Sequence, residues 1–264
     1  AGRRQSAGQS LRSTGASPFR QRTAQSLGSS ERSTSAREPL PRVAACVSAP
    51  ATEVLRTPSS VIPCDLSTQE GPDDLLKSLS GVSVDVLINN AGIWGDLEAS
   101  PLSETRPDYF DRVMGVNLRG PLLCAQSVLS SMRERGWGRI INITTAAGKA
   151  AGYSTLPSAM SRAAGIAMTK SMSKEYGVDN ILVNTVCIGS IRSAQNLRHA
   201  EEAVAAGEVA TIEEYYIERC KTVPVLRVGE AREAGDLIAF LSSERASYIS
   251  GTAINMDGGA APVV

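Results

Sequence analysis

The sequence predicts an α/β protein built on a doubly wound parallel sheet, a single domain with helices packed on both faces in three layers (αβα). Runs 84–88, 140–143 and 181–186 are apolar apart from one or two polar residues each, and they end in Asn89-Asn90-Ala91-Gly92, Thr144-Thr145 and Cys187-Ile188-Gly189. Buried parallel strands read as such runs, and ligands bind beyond their carboxyl ends. Helical stretches from Tyr109 to Arg135 and from Ser158 to Tyr176 separate the runs. Strands alternating with helices imply right-handed crossovers within one sheet.

Taken in order, the chain opens with a low-complexity or altered segment, residues 1–37, in which seven arginines sit among Ser, Gly, Thr and Gln, with Glu31 as the only acid. Such a segment buries too little apolar surface to offset its ordering entropy. It also imitates an organellar transit peptide, though it lacks a clear amphipathic face. The irregular segment gives way to one folded domain, 38–264. Within it, Val61 to Leu66 reads as a strand ending at Asp65, followed by a helix start at Ser67-Thr68. Ala194 to Cys220 reads as a polar helical insertion, Ala234 to Leu241 as a helix, and the run closing at Asp257-Gly258-Gly259 as the last strand.

Bulk properties exclude several classes of function. Lys and Arg number 27 and Asp and Glu number 27, so no global field steers nucleic acid or an anionic membrane. No run approaches the length of a membrane span. The five cysteines are scattered without a Cys-x-x-Cys pair, which fits reduced thiols in a cytoplasmic setting. No metal site is expected, because the single histidine, His199, has only Glu202 at ligand spacing.

Several motifs in a fixed order carry a resemblance: Asn89-Asn90-Ala91-Gly92, then Val116-Asn117-Leu118, then Thr144-Thr145 before Ala146-Ala147-Gly148, then the closing Tyr248 to Gly259. Over roughly residues 61–260 the chain resembles the classical short-chain dehydrogenase/reductase family, in particular its 3-oxoacyl-carrier-protein reductase-like members. The resemblance implies a Rossmann-like sheet, an NADP (or NAD) cofactor, a small carbonyl or alcohol substrate, and a homodimer or homotetramer. It implies cofactor contacts at Asp65 and Leu66, at Asn89, Ala91 and Gly92, and at Gly189 and Ser193. For Asp65 the local alternative is a turn or helix cap.

At the start of the chain, Thr14-Gly15-Ala16-Ser17 resembles the opening of the family's glycine turn, and Ser35-Ala36-Arg37 the end of its second strand. On that reading Gly15 meets the pyrophosphate and Arg37 a 2′-phosphate. A chance match in a Ser-rich tract is the alternative, since Phe19 and Gln21 stand where glycines are needed for backbone N–H groups to approach the phosphates.

The family's four catalytic positions fall on Asn117, Thr145, Ser158 and Arg162. Thr145 keeps the hydroxyl that polarises a carbonyl. Ser158 and Arg162 replace a tyrosine and a lysine, four residues apart and so on one helix face. Serine lacks the ring that delocalises an oxyanion, whereas the guanidinium still offers positive charge and donors to ribose hydroxyls. Tyr153 lies before Pro157, outside the helix, and would need a rearranged loop to replace the phenol. Two functions follow: a nicotinamide-dependent oxidoreductase with a divergent site, or a non-catalytic member that binds a ligand or a partner.

Overall fold

The computed structural model describes residues 43–46, 64–68, 70–78, 81–93, 101–152 and 155–263. The chain divides into residues 1–39 and residues 40–264, and every element below belongs to the second unit. Gly15, Arg37 and Tyr153 lie outside the described residues.

The strands are β1 (Val43–Cys46), β2 (Val86–Asn89), β3 (Gly138–Thr145), β4 (Ile181–Ile188), β5 (Ile191–Arg192), β6 (Gly229–Glu230) and β7 (Ala253–Met256). Five of them form one parallel sheet in the order β1-β2-β3-β4-β7, and β5 pairs with β6. The helices are α1 (Glu70–Ser78), α2 (Pro107–Met114), α3 (Gly120–Arg135), α4 (Leu156–Tyr176), α5 (Ala194–Ala205), α6 (Ile212–Cys220) and α7 (Ala231–Leu241). The predicted α/β architecture with a parallel sheet is therefore present.

One expected strand requires correction. Of the run 61–66, residues 61–63 lie outside the described residues, and Cys64 to Leu66 run into a turn instead of a strand. The Asp65 carboxylate accepts from Ser67 N at 2.8 Å and from Ser67 Oγ at 2.7 Å, giving the backbone a local alternative to a sheet ladder. Thr68 Oγ1 then accepts from Gly71 N at 3.0 Å, at the start of α1. The neighbour of β2 is instead the short, small-residue β1, which the apolar-run criterion passes over.

Helix starts follow from local chemistry. Proline stands in the first turn of α2 and α4, where its missing N–H costs nothing. Ser193 and Thr211 cap α5 and α6 through their hydroxyls, and Glu230 with Glu233 forms a capping box on α7. Between α2 and α3 the helix widens into a π-turn over Gly115–Arg119, centred on Asn117.

Alternation along the strands sends neighbouring residues to opposite faces. Leu87, Ile140 and Val183 are in register and pack on one side with Cys124, Val128 and Met132 of α3 and Met172 of α4. Ile141, Ile143 and Val186 pack on the other side with Leu241 of α7. Burial of such side chains contributes about 1.5–3 kcal/mol each.

One row nearer the carboxyl edge, the α4 side of the sheet becomes polar. Asn89, Asn142 and Thr185 share a register row. Asn89 Nδ2 donates to Asn142 Oδ1 at 2.9 Å, Asn142 Nδ2 donates to Thr169 Oγ1 of α4 at 2.8 Å, and the Thr169 and Thr185 hydroxyls lie 2.7 Å apart. This buried chain fastens α4 to three strands beneath the sheet's ligand-binding edge.

Candidate active site

The carboxyl ends of β2, β3 and β4 form the candidate site. Here β3 ends at Thr145, in register with Ile188, and the chain turns away through a 3-10 turn at Ala146–Gly148. The Thr145 side chain is half-buried at this edge. Its neighbour Thr144 points into the protein and donates to Cys187 Sγ at 3.3 Å. Beyond Ile188, Gly189 N donates to Met256 O at 2.9 Å. A Cβ on Gly189 would stand 2.6 Å from the Asp257 Cβ, so glycine is required by the approach of β7.

Helix α4 brings Ser158 and Arg162 to this edge one turn apart. Ser158 is buried, at 4% exposure. Arg162 Nη1 donates to the Ile143 carbonyl at 3.0 Å. Part of its side chain stays accessible, while Nε is sealed from solvent without a partner. Burial pushes the Arg162 pKa down to about 10, so the group remains a cation at neutral pH.

The guanidinium lies against the motif that follows β2. A Cβ on Gly92 would stand 2.6 Å from Arg162 Nη2 and 3.2 Å from Nη1. The room that sequence reasoning reserves beside Gly92 for a ribose is therefore partly filled by Arg162, which brings its charge to the same place. Ala91 is half-buried and packs on the core, and the Asn89 side chain belongs to the polar row.

Asn117 ties the same loop to α4. Its Oδ1 accepts from Ile93 N at 2.8 Å, while Nδ2 donates to Ile93 O at 2.8 Å and to Ser161 Oγ at 3.1 Å. Ser161 Oγ donates in turn to Ser158 O at 2.8 Å. Asn117 is thus joined to Ser158 through Ser161 and to the loop at Ile93, next to the Gly92 against which Arg162 lies. Lys149 is drawn away, donating to Ala253 O at 2.7 Å.

The other expected contacts take up local roles. Asp65 is exposed, and its hydrogen bonds from Ser67 hold its pKa below the ordinary carboxylate value. Leu66 is 8% exposed and packs against Gly120, which leaves its backbone rather than its side chain for a ligand. Ser193 is exposed, and its hydroxyl accepts from Asn196 N at 3.2 Å. Beside it, Arg192 holds Glu213 of α6 at 2.7 and 2.9 Å and lies 4.1 Å from the Tyr216 ring centroid, anchoring the helical insertion.

Sequence reasoning missed Ser161, Asn142 and Thr169. The signals for them were present: a serine three residues beyond Ser158, one polar residue inside an apolar strand, and a threonine one turn from each of Gly165 and Ser173 on α4.

A family model described as enoyl-(acyl carrier protein) reductase matches residues 43–261. The 2-(R)-hydroxypropyl-CoM dehydrogenase of Xanthobacter autotrophicus is 34% identical over 67% of this chain and 66% of its own length. The 3-oxoacyl-acyl-carrier-protein reductase of Aquifex aeolicus is 35% identical over 67% of this chain and 65% of its own length. The chain thus spans slightly under two thirds of these relatives. Among solved structures, the L-sorbose reductase of Gluconobacter frateurii, complexed with NADPH and L-sorbose, is similar at TM-score 0.70 and 25% identity, covering 76% of each chain.

Proposed function

Because the chain belongs to the short-chain dehydrogenase/reductase family, we propose that it is an NADP- or NAD-dependent oxidoreductase that reduces a ketone or 3-oxoacyl group, or oxidises the corresponding alcohol. The observation that carries this reading is Arg162: a buried cation at the carboxyl edge, held by Ile143 O against Gly92, one turn beyond Ser158. Buried charges without partners are costly, and they gather where ligands supply the missing interactions.

We take Arg162 to serve the ribose end of a nicotinamide cofactor. Arg162 has unused donors beside a glycine, and Gly189 leaves the edge of β4 low. Asp65, Leu66, Asn89, Ala91 and Ser193 are proposed as further contacts of the cofactor, and Gly15 and Arg37 would serve the phosphates and favour NADP. A nicotinamide cofactor, when bound, supplies or accepts the hydride. Thr145 donates its hydroxyl hydrogen to the substrate carbonyl and polarises it. Arg162 binds the ribose hydroxyls and favours negative charge on the substrate oxygen. Ser158 passes a proton through water, and Asn117, with Ser161, holds that end of α4 in place.

The Ser158→Tyr, Arg162→Lys double variant tests this reading. A positioned acid/base contributes about 10²–10⁴-fold, so the variant should gain reductase activity of that order. A folded variant that binds cofactor without gaining activity would count against hydride chemistry. The alternative of a ligand-binding, non-catalytic member is favoured by Ser158, a buried serine where the family resemblance expects a phenol. On either reading self-association is proposed through α4, where Met160, Ala163 and Ala167 are exposed on one face. The thiols at Cys187 and Cys220 suit a reducing, cytoplasmic compartment.

A further inference from the structure

Among the described residues, Arg139 and Arg162 both draw their guanidinium groups in from solvent, and the protein treats the two differently. Arg139, at the start of β3, is 1% exposed, but its Nη2 lies 3.3 Å from Glu244 Oε1 and its guanidinium lies 4.3 Å from the Trp137 ring centroid. Burial lowers its pKa and Glu244 opposes that shift, so an acid offsets the cost of the charge. Arg162 has no such companion. Its only hydrogen bond among the described residues is to the neutral Ile143 carbonyl, its Nε has none, and no described acid acts on it.

The surroundings keep that charge uncompensated. Ser158, on the same face of α4, is a hydroxyl that does not ionise in the working range. Asp257, at the same sheet edge, gives its two carboxylate oxygens to Gly259 N at 3.0 Å and Ala261 N at 2.9 Å. Lys149 directs its ammonium to Ala253 O at 2.7 Å, on β7, and keeps its own charge there. At the contact with Gly92, Arg162 keeps its positive charge from acid to weak base, and none of the described acids is paired with it.

On the reading of this site as a nicotinamide site, we infer that Arg162 determines which redox form of the cofactor is held: the protein binds the reduced form more tightly than the oxidised form. The oxidised nicotinamide ring carries a positive charge and the reduced ring is neutral. A cation with an ionisable acid beside it can be offset by the conjugate base, whereas Arg162 beside Ser158 cannot. In a site of protein-like dielectric, a like charge within a side chain's reach changes a binding constant by roughly tenfold to a hundredfold. A tenfold preference for the reduced form raises the two-electron potential of the bound pair by about 30 mV. Arg162 thereby makes the bound reduced form a weaker hydride donor than it is free in solution.

The test is binding, independent of turnover. Dissociation constants for NADPH, NADP⁺, NADH and NAD⁺ are measured by calorimetry on the full chain and on Arg162→Lys, Arg162→Met and Ser158→Asp. The wild type should hold the reduced form of whichever pair it binds at least about tenfold more tightly, and Arg162→Lys should keep that preference. Arg162→Met removes the charge and Ser158→Asp places an acid four residues before it, so each should bring the ratio most of the way to unity. If Arg162→Met does not fold, Ser158→Asp alone decides. A ratio unchanged in these variants, or tighter binding of the oxidised form by the wild type, overturns the inference while leaving the cofactor site standing. Binding of neither form by folded protein overturns the cofactor reading and the inference with it.

Discussion

At the scale of single residues, the energetics of the site run against stability. Arg162 is half-buried with one hydrogen bond and no counter-ion among the described residues, and its lowered pKa expresses the cost of keeping the charge there. Replacing a buried charge by an apolar side chain of similar length is often neutral or stabilising. Arg162→Met is therefore expected to stabilise the fold by about 1 kcal/mol, which raises Tm by about 2–4 °C in a domain of this size. The same variant should weaken cofactor binding, and calorimetric melting beside a binding titration checks both. Gly92→Ala acts on the same contact from the other side. The new Cβ would meet Nη2 at 2.6 Å, so the guanidinium must move off Ile143 O. Overpacking of this kind costs about 1–3 kcal/mol, read by urea denaturation. The pairing of Gly92 with Arg162 was not legible in the sequence, because the two positions lie in separate motifs and each looks sufficient by itself. The roles of Asn117 and Ser158 could be placed by spacing, but Ser161, which joins them, belongs to no motif.

At the scale of elements, the polar row explains how a long helix is kept in register on the sheet. Asn142 bonds Asn89 on one side and Thr169 on the other, all buried. Asn142→Val removes both bonds and leaves Asn89 Nδ2 and Thr169 without that partner. Asn89 Nδ2 keeps Pro121 O and Thr169 keeps Thr185, so the expected cost is that of two lost hydrogen bonds, about 1–3 kcal/mol in all, measured as a fall in the denaturation midpoint with unchanged m-value. A variant as stable as wild type would show that the row is dispensable. The strands β3 and β4 and the helices α3, α4 and α7 were legible because periodicity and terminal small residues coincide. The turn at Asp65 was misread because the apolar pattern of 61–66 matches a strand, while the carboxylate's bonds to Ser67 decide the backbone locally. Strand β1 was missed because Val43-Ala44-Ala45-Cys46 is four small residues whose pairing with β2 is a tertiary fact. The widening at Gly115–Arg119 lies within one helical pattern and left no mark on periodicity beyond Asn117 itself.

At the scale of the whole molecule, the α/β sheet places every catalytic candidate at one edge, and α4 serves two surfaces at once. Ala159 and Gly165 face the protein interior, whereas Met160, Ala163 and Ala167 are exposed. If this outer stripe joins two copies, Ala163→Glu should shift the sedimentation coefficient to that of the monomer, and an unshifted oligomer would place the interface elsewhere. The central claim is that the carboxyl edge around Arg162 holds a nicotinamide cofactor, and the most direct measurement is a titration of the purified chain with NADPH and then NADH, following nicotinamide fluorescence. The account predicts saturable binding that weakens in Arg162→Met. Absence of binding up to millimolar cofactor, in a sample whose circular dichroism and melting show a folded domain, would contradict it.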